Sequence, residues 1–283
     1  MKRLIVTADD FGLAVPVNEA IEEAHRRGIL TTASLMVGGS AAEDAVSRAR
    51  RCPSLKVGLH VVLVEGRPIL SPQAIPELVD ATGEFASRLV TAGIRFFFKP
   101  SVRRQLAMEI RAQFEAFQKT GLSLDHVNGH NHMHLHPTIL GLILKIGRDF
   151  GLRAVRLPYE PFWLSSALSR KASGSTLLSS LLLWPWLSLL RGRLRRANVH
   201  SNDFIVGLHE TGAMRREVVL EILDRLPEGV TEMYFHPATR RCPEIDRTMA
   251  EYQHQAEFEA LIDPVVRGVL LESQIRRIAF SDL

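Results

Sequence analysis

The chain has 283 residues and a mass of 31.7 kDa, with 46% hydrophobic and 23% charged residues. That length and balance exclude a disordered tail, a collagen-like repeat and a small disulfide scaffold, and they allow one large core. Cys52 and Cys242 are the only cysteines and neither sits in a CxxC pair, so neither a thiolate zinc site nor a disulfide framework is expected. Net charge is +4 and the pI about 9.3. No run alternates Lys or Arg with aromatics in the manner of single-strand binders, so nucleic acid is not an expected partner. The opening MKRLIVTADDFG loses its apolar character at Thr7 and two aspartates follow, which does not make a signal-peptide core. A first buried strand in a cytoplasmic protein is the expectation.

In chain order, short apolar runs alternate with amphipathic helical patterns. Residues 3–8 predict a strand, 16–27 a helix, 32–37 a strand, 41–51 a helix and 57–63 a strand. The rhythm resumes with a helix over 102–119, a strand over 125–129, a helix over 137–150 and a strand over 154–157. Strands near 204–208 and 231–235 and helices at 215–226 and 252–261 complete it. Seven such strands predict an α/β fold, a distorted TIM-like (β/α) barrel forming a single domain over 1–283 with functional groups at the strand C-termini. Ala8-Asp9-Asp10-Phe11-Gly12 puts carboxylates where a dinucleotide fingerprint needs glycines, so Rossmann binding is disfavoured. Two stretches break the rhythm, about 65–100 and 159–202, and read as lids or substrate-binding insertions.

Four clusters carry chemistry. Asp9 and Asp10 end the first strand, where two carboxylates repel unless a cation lies between them. Helix capping is the plainer reading of the same pair. His60 lies in the apolar strand 57–63, and residues 126–136 hold five of the eleven histidines, ahead of a helix opened by Pro137. If extended, His130, His132, His134 and His136 share one face, so spacing does not select the ligand. His236 follows the strand 231–235 and is placed to protonate a leaving group. Arg156, Glu65 and Asp203 hold comparable strand-edge positions for orienting a ligand or binding substrate. One carboxylate and two imidazoles from three strands would make a facial metal site with open positions, a hydrolytic arrangement. The same donors suit a metal-dependent phosphoesterase, and the histidine run alone would suit a metal-binding protein without catalysis.

TADDFG at 7–12, GLH at 58–60, HVNGHNHMHLHP at 126–137 and EMYFHP at 232–237 occur in family order, and on them the chain resembles the YdjC-like carbohydrate deacetylases. The resemblance implies hydrolysis of an N-acetyl group on an amino sugar with a divalent cation, magnesium by family habit. Zinc, manganese or cobalt suit the donors better. It implies Asp10, His60 and His130 as metal ligands, Asp9 as base and His236 as a further catalytic residue. His132, His134 and Arg156 are then expected to contact substrate. LVEGRP at 63–68, LDHVN at 124–128 and VRLPYEPFW at 155–163 are similar to the hopanoid-biosynthesis-associated (HpnK) branch, which implies N-acetylglucosamine on a hopanoid lipid rather than soluble chitooligosaccharide. The uncharged run 172–190, rich in Leu with Trp184 and Trp186, precedes Arg191, Arg193, Arg195 and Arg196. It is too short and too polar to span a bilayer, so 172–196 is expected to lie peripherally on the inner face of the membrane or to pack in the barrel or a homodimer interface.

Overall fold

The computed structural model describes residues 1–85, 89–161 and 174–283. Seven strands form one parallel sheet: β1 (Lys2–Phe11), β2 (Thr32–Leu35), β3 (Lys56–Val61), β4 (Leu124–Gly129), β5 (Phe204–Val206), β6 (Gly229–Phe235) and β7 (Arg276–Ile278). Their order is β4-β3-β2-β1-β6-β5, and β7 pairs with the first half of β1 through Arg3, Leu4 and Ile5. The helices are α1 (Val15–Arg27), α2 (Ala42–Arg51), α3 (Leu89–Phe98), α4 (Pro100–Lys119), α5 (Pro137–Gly147), α6 (Gly174–Arg196), α7 (Arg216–Asp224), α8 (Pro243–Met249), α9 (His254–Ile262) and α10 (Pro264–Glu272).

Side-chain alternation divides the sheet into two worlds. Leu4, Val6, Ala33, Leu35, Val57, Leu59 and Val127 are buried in the large apolar cluster shared with the helices. The alternate positions point inside the curl and are mostly polar: Thr7, Asp9, Ser34, His60, His126, Asn128 and Glu232 are all buried. At the end of the curl opposite Asp10, Ile5, Ala154, Val230, Ile278 and Phe280 pack as a separate apolar plug.

The segment expected as a strand at 154–157 makes only isolated bridges, to Val127 on one side and His200 on the other. It still joins the two outer strands, because Val127 N–H donates to Ala154 O at 2.9 Å and Ile205 N–H donates to Tyr159 O at 2.9 Å. Pro158 cuts any regular ladder short there. The seventh true strand is instead β7, which the periodicity misses, and the single helix expected at 252–261 is one of three short helices. Two of them open on a proline, Pro243 and Pro264, and Asp263 caps the second by accepting from Val265 N and Val266 N.

Two contacts make the strand order specific. A Cβ at Gly58 would lie 2.4 Å from the His126 ring, so only glycine lets β3 and β4 close over that imidazole. Behind it, Asp125 on β4 accepts from Thr32 Oγ1 (2.9 Å), His126 Nδ1 (3.0 Å) and Ser281 N (2.9 Å), tying β2 and the C-terminus to β4. Burial opposes its charge, but His126 and the Ser281 N–H outweigh that and hold the carboxyl down at about 2. Because the folded value lies below the unfolded one, this stabilisation is present above pH ~4 and is lost as pH falls through about 2. Chemical denaturation of wild type and Asp125→Asn across that window should show wild type losing about 2 kcal/mol more than the variant. Parallel curves would mean that Asp125 titrates normally.

Candidate metal centre

The first functional feature is a bulge. Ala8 pairs with Ala33 and Phe11 with Leu35, so β1 has one residue more than β2 between these pairs. Asp10 sits in the left-handed region at φ 62°, a conformation that Asp tolerates better than most side chains. Consecutive strand residues face opposite sides, and this bulge turns Asp10 back toward the interior that Asp9 already faces. Asn18 fixes the turn from below: its Oδ1 accepts from Gly12 N at 2.8 Å and its Nδ2 donates to Ala41 O at 2.9 Å.

Asp10, His60 and His130 come together from β1, β3 and the end of β4, with one donor atom from each lying within 4.8 Å of the others, and all three are buried. Asp10 Oδ1 is 3.3 Å from His60 Nε2 and 3.3 Å from His130 Nδ1, yet both Asp10 oxygens are buried without a hydrogen-bond donor. A bare carboxylate in that condition is costly unless a cation shares it. His60 Nδ1–H donates to Asn128 Oδ1 at 2.7 Å, which leaves Nε2 as the lone pair facing Asp10. Orphaned carboxylate oxygens, an oriented imidazole and a second imidazole are what a divalent ion requires, and the residues fit one.

Asp9 has a different environment. Arg156 Nη1 donates to its Oδ2 at 2.5 Å, while Arg156 Nη2 and Asn128 Nδ2 each donate to its Oδ1 at 3.0 Å. Burial raises the Asp9 pKa, but the Arg156 charge, followed by His60, reverses the sign and holds it far below the usual carboxylate range. Asp9 is therefore ionised at every working pH. Arg156 is only 1% exposed, and its guanidinium also pairs with Glu232, Nε to Oε2 at 3.0 Å and Nη2 to Oε1 at 2.7 Å. Thr7 Oγ1 donates to the same Glu232 carboxylate at 2.7 Å.

The histidine run does not extend. Residues 130–135 form a 3-10 segment in which Asn131 (φ 50°) and His132 (φ 53°) are left-handed, so the imidazoles fan apart. His130 faces Asp10; His134 Nε2 hydrogen-bonds Arg156 O at 3.1 Å; and His136 accepts from Thr138 N as the cap of α5. His126, lower on β4, binds Ser34 and stacks on Phe280. His132 lies edge-on to Tyr234, and burial, assisted by Arg156, pushes its ring down to about 3, so it is neutral. His236 lies between Tyr234 and Tyr252, with a ring centroid 5.6 Å from one and 5.2 Å from the other. Burial lowers its pKa against the pull of Asp10 and Asp9.

Arg156 and His134, expected to contact substrate, are thus turned to the protein's own groups: a guanidinium committed to two carboxylates and a ring committed to a backbone carbonyl. Sequence reasoning leaves out Glu232 and Asn128. Both follow a period of two with an assigned site residue, Glu232 with His236 and Asn128 with His130, a signal that was available on the inward face of their strands. Asp203, also weighed for ligand contact, accepts from Val230 N at 2.9 Å instead.

Residues 3–272 match the YdjC-like protein family. The chain belongs to that family. It is 30% identical to a carbohydrate deacetylase of Brevibacillus brevis over 99% of each chain, and 30% identical to a carbohydrate deacetylase of Mus musculus over 99% of this chain and 94% of that one. Among solved structures, an Enterococcus faecalis protein named provisionally for cellobiose-phosphate cleavage aligns with a TM-score of 0.76 and 26% identity, covering 99% of this chain and 98% of that chain.

The buried Asp9–Arg156–Glu232 cluster makes its own prediction. Arg156→Met leaves two uncompensated carboxylates, and urea denaturation should show a loss of about 3–5 kcal/mol. Adding Asp9→Asn and Glu232→Gln should return much of it. A single variant as stable as wild type would mean that the cluster does not carry its charges in the folded state.

Proposed function

We propose that this protein is a metal-dependent N-deacetylase that hydrolyses the acetamide of an N-acetylglucosamine unit. The observation carrying this reading is the pair of buried, donorless Asp10 oxygens facing His60 and His130, with an ionised Asp9 alongside. The carbohydrate deacetylases among its relatives support the reaction class.

Asp10, His60 and His130 would hold the cation, which when bound supplies Lewis acidity to the amide carbonyl and to an attacking water. Asp9 takes the proton of that water. The pairing with Arg156 that keeps Asp9 ionised also lowers its basicity, so the transfer depends on a water whose own acidity has been raised. Arg156 and Asn128 keep its oxygens aimed, and Glu232 holds Arg156 in turn. His236 serves the departing amine. Its ring is neutral at rest, so it donates a proton only after receiving one, and Asp9, whose charge it feels, is the group able to supply it. His132, neutral and next to Tyr234, is the member of the histidine run left to contact the sugar.

The donor set of one carboxylate and two imidazoles favours zinc, manganese or cobalt over magnesium. For the substrate we favour the hopanoid-linked sugar over soluble chitooligosaccharide, on the resemblance carried by LVEGRP, LDHVN and VRLPYEPFW, with peripheral membrane contact through 172–196. Residues 162–173, which include Phe162 and Trp163 of VRLPYEPFW and the start of 172–196, lie outside the described residues, as do the side chains of 174–183. Further along α6, Leu187, Leu190 and Leu194 are buried against the core, and no helix among the described residues is long and apolar enough to cross a membrane. A metal-storage role is weakened by the histidine run itself, since His134 and His136 are engaged in backbone hydrogen bonds.

Asp9→Asn should retain one metal per chain and lose acetate release from N-acetylglucosaminyl substrates by about 10²–10⁴-fold. Acetate assayed on N-acetylglucosaminyl hopanoid and chitobiose side by side checks both halves. Full activity of the variant contradicts the base role, and preference for chitobiose contradicts the lipid-linked substrate.

A further inference from the structure

The net charge of +4 hides a partition. Residues 85–108 and 161–202 hold eleven of the 35 cationic residues and none of the 31 acidic ones. These two stretches therefore carry +11, and the other 217 residues of the chain carry −7. Six of the eleven large apolar side chains exposed among the described residues lie in the same two stretches.

The exposed groups of the first stretch are ordered. Ile94, Phe97 and Phe98 stand at i, i+3 and i+4 on α3, so they form one face, with Phe98 71% and Ile94 58% exposed. The opposite face is the anchored one: Phe96 is 4% exposed and lies edge-on to His136 at 6.0 Å. Lys99, Arg103 and Arg104 are exposed next to this face, and among the described residues none of them pairs with a carboxylate. Arg103 instead lies over the Phe97 ring at 5.9 Å. The second stretch arrives at the same place, since Arg193 of α6 donates to Pro137 O at 3.1 Å, one residue past His136, and Trp184 of α6 is 55% exposed. Both stretches thus lean on the start of α5, which directly follows the segment that supplies His130.

We propose that the Ile94–Phe97–Phe98 face of α3, with its flanking cations, docks the rim of the metal centre onto an anionic lipid bilayer. Apolar side chains that enter the headgroup boundary beside unpaired Lys and Arg are the two components of reversible interfacial binding. Charge decides the occupant. A second copy pairing through this same face would bring the same acid-free cationic stretches and be repelled, and a neutral apolar partner would leave the cations uncompensated, whereas an anionic bilayer satisfies both components. The inference deepens the lipid-substrate reading, on which its purpose rests; docking itself stands on exposure and charge alone.

Full-length protein is floated with phosphatidylcholine vesicles and with vesicles containing phosphatidylglycerol. Wild type should bind the anionic vesicles at least about tenfold more tightly than the neutral ones, and added salt should release it. Ile94→Ser/Phe98→Ser should weaken binding to anionic vesicles about tenfold or more, as should Arg103→Glu/Arg104→Glu. All these side chains are exposed, so acetate release from a soluble chitooligosaccharide should stay within about twofold of wild type; that assay reports on the hydrolase reading separately. Undiminished vesicle binding by the variants overturns the docking face. So does failure of wild type to bind either vesicle, or a vesicle-independent dimer that Ile94→Ser/Phe98→Ser dissociates, which would identify a second copy as the occupant.

Discussion

Adjacent residues of a strand face opposite ways, and Asp9 and Asp10 must both face inward for the site to exist. The bulge between Ala8 and Phe11, with Asp10 at φ 62°, is the constraint on which the rest depends. It also separates the two carboxylates electrically. Asp9 lies against Arg156, a permanent cation supplied by the protein, while Asp10 lies against two imidazoles and no permanent charge. One carboxylate is thereby kept ionised and aimed, and the other is left needing a cation. Strain at one residue and a buried guanidinium at another produce two roles from the same residue type.

The polar interior of the curled sheet is the second consequence. Glu232, Arg156, Asp9 and Asn128 form a continuous chain of hydrogen bonds that ends on His60 Nδ1. Such a chain fixes the tautomer of a ligand at one end by the placement of a carboxylate at the other. Its energetic risk is the one shared by all buried ionic networks: each member is costly if its partner is removed. The apolar cluster of Ile5, Ala154, Val230, Ile278 and Phe280 packs beyond the polar chain, at the end away from Asp10.

Much of this was legible in the residues. Alternating periodicities gave the parallel sheet, and charged or imidazole side chains at the ends of apolar runs marked the rim. β7 was not legible, because Arg276-Arg277-Ile278 has no apolar run and forms a strand only by pairing with three residues of β1. The segment at 154–157 read as a strand because its side chains are buried, yet its neighbours each offer it a single bridge. The four histidines were indistinguishable because an extended chain was the natural expectation, and two consecutive left-handed residues undo it. Asparagine at 131 hinted at such a turn; nothing in His132 did. The demand that Asp9 and Glu232 make on Arg156 was equally hidden, since a basic residue near a strand edge reads as a substrate contact until its partners are seen.

The central claim is that one cation belongs among Asp10, His60 and His130. Anomalous diffraction from crystals grown with manganese or zinc tests it directly. A single strong peak enclosed by those three side chains, absent in crystals of Asp10→Ala, is the predicted result. A peak over residues 132–136, or one that persists at the same position without the Asp10 carboxylate, would contradict it.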